Sequence, residues 1–141
     1  MALTEAIHAA LVGLGLNEPR ITAPLDGGTF AVWLVECANG ERVVVKAASD
    51  APPDLFAGEA DGLRLLRTVG DAPRAPRPLA VGATFLVLEY LESSPRAPRA
   101  WVDFAHGLAA LHAHVGPAFG AVADNYLGRS LQSNKTTEDG H

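Results

Sequence analysis

The chain has 141 residues, 48% of them hydrophobic and 19% charged, which is enough apolar matter for one packed domain and too little charge for a disordered chain. Eleven Lys and Arg against sixteen Asp and Glu give a net charge of -5, which argues against non-specific partners such as nucleic acid or an anionic membrane. Cys37 is the only cysteine, so no intramolecular disulfide can form, and the N-terminus has neither the basic region of a signal peptide nor the unbroken apolar run of a membrane span; a cytoplasmic protein is expected.

Leu3, Ile7, Ala10, Leu11 and Leu14 recur at helical spacing, which predicts an amphipathic helix over 3–13, ended by Gly13 or Gly15. A short strand at Ile21–Leu25 follows. Asp26-Gly27-Gly28 reads as a turn. Phe30–Cys37 is rich in strand formers, and Ala38-Asn39-Gly40-Glu41 has hairpin-turn chemistry. Arg42–Ala47 pairs back, so 21–47 is an antiparallel meander. Pro52-Pro53-Asp54 stops the sheet and offers Asp54 as a helix N-cap. Phe56, Glu59, Leu63 and Leu66 then share one helical face. Leu79–Val81 and Phe85–Leu91 read as two further strands. Trp101, Phe104, Leu108 and Leu111 form an apolar stripe on a helix from about Trp101 to His112. Beyond Gly116 periodicity is lost; from Ser130 onward Leu131 is the only large apolar residue, and the last stretch is expected to be disordered. Six of the eleven basic residues lie between Arg64 and Arg99. Four of those sit in Pro- and Ala-rich segments, which read as solvated loops.

Two charges stand on apolar faces. Glu59 shares its face with Phe56, Leu63 and Leu66, and a carboxylate turned toward a core is costly unless paired. Strand alternation puts Val43 and Val45 on one side and Val44 and Lys46 on the other. Taken singly, Lys46 would snorkel to the strand end and Glu59 would rotate into water. Taken together, an ion pair solves both problems. Gly27-Gly28-Thr29 brings backbone N–H groups and a hydroxyl within reach of phosphate oxygens, although two glycines alone are more often only a turn. Leu86-Val87-Leu88-Glu89-Tyr90-Leu91 reads as a buried strand leaving its sheet, where the Glu89 carbonyl and the Leu91 N–H would be free for an adenine edge. Glycine turn, lysine, glutamate and exiting strand, in that order, are the parts of the small lobe of a kinase-fold phosphotransferase. His106, His112 and His114 diverge on a helix end with no carboxylate cluster beside them, so no metal site is expected. No Ser-His-Asp arrangement is supported by the spacing either.

The pieces Pro24-Leu25-Asp26-Gly27-Gly28, Val44-Val45-Lys46, Phe56-Ala57-Gly58-Glu59-Ala60-Asp61-Gly62-Leu63 and Leu86–Leu91 resemble the fructosamine/ketosamine-3-kinases, relatives of the aminoglycoside phosphotransferases. Leu108-Ala109-Ala110-Leu111-His112, Phe119-Gly120 and Asp124-Asn125-Tyr126-Leu127-Gly128, with Gln132 and Asn134 after it, extend the resemblance to residue 134. The resemblance implies an α+β fold: a protein-kinase-like N-lobe over 1–92, with a twisted antiparallel sheet of about five strands and one packed helix. A linker over 93–99, the start of a C-lobe over 100–134 and a disordered tail over 135–141 would follow. It implies ATP-dependent phosphorylation of a ketosamine, either a small molecule or a glycated protein, in deglycation repair. Gly27, Gly28, Thr29, Lys46, Glu59, Glu89, Tyr90 and Leu91 would bind ATP, and Asn125 would lie on the substrate side. Magnesium would accompany ATP, with ligands outside these residues. Thr29 departs from the Ser or Cys common in the family. The family's His-Gly-Asp catalytic loop and metal-binding aspartate do not occur in these 141 residues. The isolated chain is therefore expected to be inactive and to self-associate through the Trp101 stripe. The alternatives are another small-molecule kinase of the aminoglycoside or choline type, and a non-catalytic nucleotide- or partner-binding lobe.

Overall fold

A computed structural model describes residues 3–25, 28–93, 97–121 and 123–139. Helix α1 (Glu5–Gly13) comes first, then strands β1 (Arg20–Pro24), β2 (Ala31–Glu36) and β3 (Arg42–Ala47), helix α2 (Leu55–Leu66), and strands β4 (Pro78–Val81) and β5 (Phe85–Glu89). Helix α3 (Ala100–Ala113) and a hairpin of β6 (Asn125–Leu127) and β7 (Ser130–Gln132) complete the chain. The first five strands form one antiparallel sheet in the order β1-β2-β3-β5-β4, as expected of a kinase-like small lobe. The β2–β3 turn works as its residues require: Gly40 takes φ +80, and the Asn39 Oδ1 accepts the Glu41 N–H at 3.0 Å.

The sheet is covered on both faces, one more than expected. Ile7, Leu11 and Leu16 of the α1 segment pack with Val35, Val43, Val45, Phe85 and Val87. Leu55, Phe56 and Ala60 of α2 pack with Leu86 and Leu88, with Val44 beside them. Successive residues of β3 and β5 thus feed opposite cores, and each large aliphatic side chain fully buried contributes about 1.5–3 kcal/mol. Helix α1 starts two residues later than its periodicity suggests because the Thr4 hydroxyl accepts the Ile7 N–H and caps it.

Three expectations are corrected, those on Asp54, on the end of β5 and on the last stretch of the chain. Asp54 stands at the N-cap of α2, but with φ 60 its side chain makes no capping bond; its carbonyl accepts the Gly58 N–H instead. Strand β5 ends at Glu89, because Tyr90 and Leu91 have already left the sheet. Helix α3 meets the rest of the described structure through Gly107, where an added Cβ would lie 3.1 Å from the Asp71 carbonyl; the stripe residues Trp101 and Phe104 are exposed and stack edge to face, with Leu108 and Leu111 half-buried. The chain also keeps regular structure past Ser130, through β7 and through a bridge between Phe119 and Thr137, which lies inside the expected tail. Gly120 allows that bridge: its φ is +95, and an added Cβ would meet the Lys135 carbonyl oxygen at 2.6 Å.

Candidate functional site

Lys46 lies at the end of β3 on the α2 face, opposite Leu86 of β5. Glu59 lies one turn into α2, between the buried Phe56 and the half-buried Leu63. Their side chains meet across this gap: the Lys46 Nζ donates to both Glu59 carboxylate oxygens, each at 2.6 Å. The lysine side chain is 22% exposed and the glutamate 31%, so the pair is half-buried with its outer edge open to solvent. An ammonium held in this way is fixed in direction and can still take a third acceptor, such as a phosphate oxygen.

The segment after β5 is held by its side chains on two sides. The Glu89 carboxylate accepts from the Arg74 guanidinium and from the Arg77 N–H at 3.1 Å, with the Arg67 guanidinium at 3.8 Å. Burial pushes this carboxyl up, but the Arg77 N–H and the Arg74 and Arg67 charges together outweigh it and hold it below the ordinary carboxylate range. Arg42, the first residue of β3, lies over the Tyr90 ring at 4.6 Å and pairs with Glu92 at 3.0 Å. The side chains of residues 89, 90 and 92 are thus engaged with the protein. What the segment has left to offer a ligand is chiefly its backbone. Arg74 is expected from sequence to be a solvated loop residue; it is an anchor instead, together with Arg67. Their partner lies 22 and 15 positions away, and no local pattern marks it.

Gly27 lies outside the described residues. Gly28 and Thr29 lead into β2, and Thr29 is met by the β6–β7 hairpin: an added Cβ on Gly128, whose φ is +61, would lie 3.3 Å from the Thr29 Oγ1. Asn125 packs on α2 at Gly58, where an added Cβ would lie 3.4 Å from the Asn125 Cβ, next to Glu59 in sequence. Asp124 and Asn134 close the base of the hairpin, the Asp124 Oδ1 accepting the Asn134 N–H at 2.8 Å. Sequence reasoning missed Arg129, whose guanidinium pairs with Asp50 at 2.8 Å and lies 5.4 Å from the Phe30 ring centroid. Among the described residues no group of three His, Cys, Asp or Glu side chains is gathered to hold a metal, and no helix is long and apolar enough to cross a membrane.

Residues 15–140 match the family model described as fructosamine kinase. The chain is 44% identical over 105 residues to a protein of Thermus thermophilus named as a probable ketoamine kinase, covering 74% of the chain and 36% of that protein. It is 36% identical over 103 residues to a protein of Synechocystis named in the same way, covering 70% of the chain and 35% of that protein. Two crystal structures named as fructosamine-3-kinases share its fold. One, from Haemophilus somnus, has a TM-score of 0.77 at 25% identity over 94% of this chain and 47% of its own. The other, from Thermobifida fusca, has 0.74 at 29% over 96% and 48%. The chain spans about a third of the length of the curated relatives it matches and about half that of these structures. With nearly all of its length matched by one family model, the chain belongs to the fructosamine kinase family.

Proposed function

We propose that this chain is the ATP-binding lobe of a kinase that phosphorylates ketoamines, small or carried on glycated protein lysines, as a step in deglycation. The observation that carries this reading is the Lys46–Glu59 pair, with the Lys46 Nζ at 2.6 Å from both carboxylate oxygens between the glycine turn and the exiting strand. Glu59 orients the Lys46 ammonium toward the α- and β-phosphates. Gly27, Gly28 and Thr29 approach the phosphates, and the Glu89 carbonyl and the Leu91 N–H take the adenine edge beside Tyr90. Magnesium, when bound with ATP, neutralises phosphate charge. Asn125, set against α2 beside Glu59, faces the substrate side. Use of ATP favours a cytoplasmic setting. Membership of the fructosamine kinase family favours a ketoamine over an aminoglycoside or choline as acceptor. These 141 residues contain no His-Gly-Asp sequence, so in this reading the lobe binds nucleotide without turning it over.

The test is binding of a fluorescent ATP analogue with magnesium, together with assay of a protein that carries this lobe with a His-Gly-Asp loop. Lys46→Met should weaken nucleotide binding about tenfold or more, as loss of one charge-assisted contact to phosphate requires. The assayed kinase should phosphorylate a fructosyl-amine and leave aminoglycosides and choline unmodified. Nucleotide binding unaffected by Lys46→Met would defeat the site, and phosphorylation of the other acceptors alone would defeat the substrate class.

A further inference from the structure

The β6–β7 hairpin reaches three separate parts of the lobe at once. Arg129 pairs with Asp50, in the loop between β3 and α2, through an N···O contact of 2.8 Å and a further bond to the Asp50 carbonyl at 3.2 Å. The same guanidinium lies over Phe30, the residue that follows Thr29, and the Phe30 ring packs edge-on against Phe56 of α2 at 6.0 Å. Gly128 sits on the Thr29 hydroxyl, and Tyr126 joins the α2-side core. The Asp50 carboxyl is held below its ordinary range, and the Arg129 guanidinium above its own, by their mutual hydrogen bond.

These contacts connect Thr29 and Phe30, the loop after the lysine strand and the first turns of the glutamate helix. Glycine turns are otherwise loosely held, because the residue types that let backbone approach phosphate leave little side chain to pack. We infer that the hairpin is a clamp on the nucleotide site, with Arg129 as the positioning residue that fixes the Thr29–Phe30 segment relative to Lys46 and Glu59. The inference rests on the nucleotide-site reading above and adds to it a residue far along the chain that touches no phosphate itself.

The experiment compares the unsubstituted chain with Arg129→Ala, Arg129→Lys and Asp50→Asn, measuring amide hydrogen exchange and affinity for the fluorescent ATP analogue. Arg129→Ala should speed exchange in 29–31 and 48–58 while 85–89 is unchanged, and should weaken nucleotide binding about fivefold, the scale of one exposed ion pair plus one cation–π contact. Asp50→Asn should do the same more weakly. Arg129→Lys keeps the charge and should recover most of the affinity. Unchanged exchange in 29–31 overturns the clamp, even if the thermal midpoint falls. Faster exchange there with nucleotide affinity intact also overturns it, since the hairpin would then hold the loop without positioning the site. If the unsubstituted chain binds no nucleotide, the nucleotide-site reading falls instead, and exchange in 29–31 decides whether the hairpin restrains the turn.

Discussion

The Lys46–Glu59 pair makes a quantitative prediction about stability that is separate from nucleotide binding. Lys46→Met keeps an apolar stem of similar length and removes the ammonium, leaving Glu59 on the α2 face with no cation. A fully exposed pair is worth about 0.2–1 kcal/mol. Removing one partner of a fully buried pair costs about 3–5 kcal/mol. With side chains 22% and 31% exposed, this pair lies between those limits. Each single substitution, Lys46→Met or Glu59→Gln, should therefore cost about 1–2 kcal/mol, and the double substitution should cost less than their sum by about 1 kcal/mol. Urea unfolding of the four proteins in the absence of nucleotide measures this directly. Parallel transitions with unequal midpoints give the coupling without appeal to any ligand. A coupling below about 0.3 kcal/mol would mean that solvent screens the pair as it screens a surface contact, and the argument from half-burial would be refuted.

Phe56 is 1% exposed at the centre of the α2-side core, so Phe56→Ala should cost about 3–5 kcal/mol in the same urea experiment. Gly120→Ala introduces a Cβ 2.6 Å from the Lys135 carbonyl oxygen at φ +95, so it should open the Phe119–Thr137 bridge, seen as faster amide exchange at Thr137, and leave the urea midpoint of the lobe nearly unchanged. The Glu89 carboxyl is held below its ordinary range in the folded chain. Its contribution to stability is therefore full above the unfolded value of about 4.3 and is lost as pH falls through the folded value. The stability difference between the unsubstituted chain and Glu89→Gln should be flat from pH 8 to about 5.5 and shrink in more acid solution; a difference that grew on acidification would reverse the assignment.

What could be read from sequence follows the range over which each interaction acts. The meander 21–47 was legible because its alternation and its Asn39-Gly40 turn are local. Lys46 and Glu59 were legible because each is a charge on an otherwise apolar face, and the two anomalies explain each other. The Arg67, Arg74 and Glu89 cluster left no such trace, since an arginine in a Pro- and Ala-rich segment such as Arg74, or at a helix end such as Arg67, looks alike whether solvated or anchored. The hairpin was hidden for another reason. Its strands are three residues each and largely exposed, so they have no core-facing alternation to show, and what fixes them is a left-handed Gly128, the Asp124–Asn134 bond and contacts to residues 29, 50 and 58. Asp54 misled because its residue type suits a cap, whereas the chain entering from Pro52-Pro53 arrives with the left-handed geometry that asparagine and aspartate also tolerate.

Residue parity in β3 separates a wholly apolar face from the face that combines a core with charge. Val43 and Val45 face α1, where Ile7 and Leu11 are almost wholly buried among valines; no polar or charged residue is buried among the described residues. Val44 and Lys46 face α2, where the core opens toward solvent at the ion pair. A slip of one residue in the pairing of β3 would exchange these faces. Lys46 would then lie under Ile7 and Leu11, where an ammonium has no partner, and Val45 would stand opposite Glu59. Both changes are costly, one by burying an unpaired charge and the other by stranding a carboxylate. The register that places the lysine is thus enforced twice, by the tight Asn39-Gly40 turn at one end of the strand and by the dry α1 face along its length. The ion pair itself, half-open to water, contributes too little to set the register. It follows that the charge geometry of the candidate site is determined mainly by apolar residues on the opposite side of the sheet.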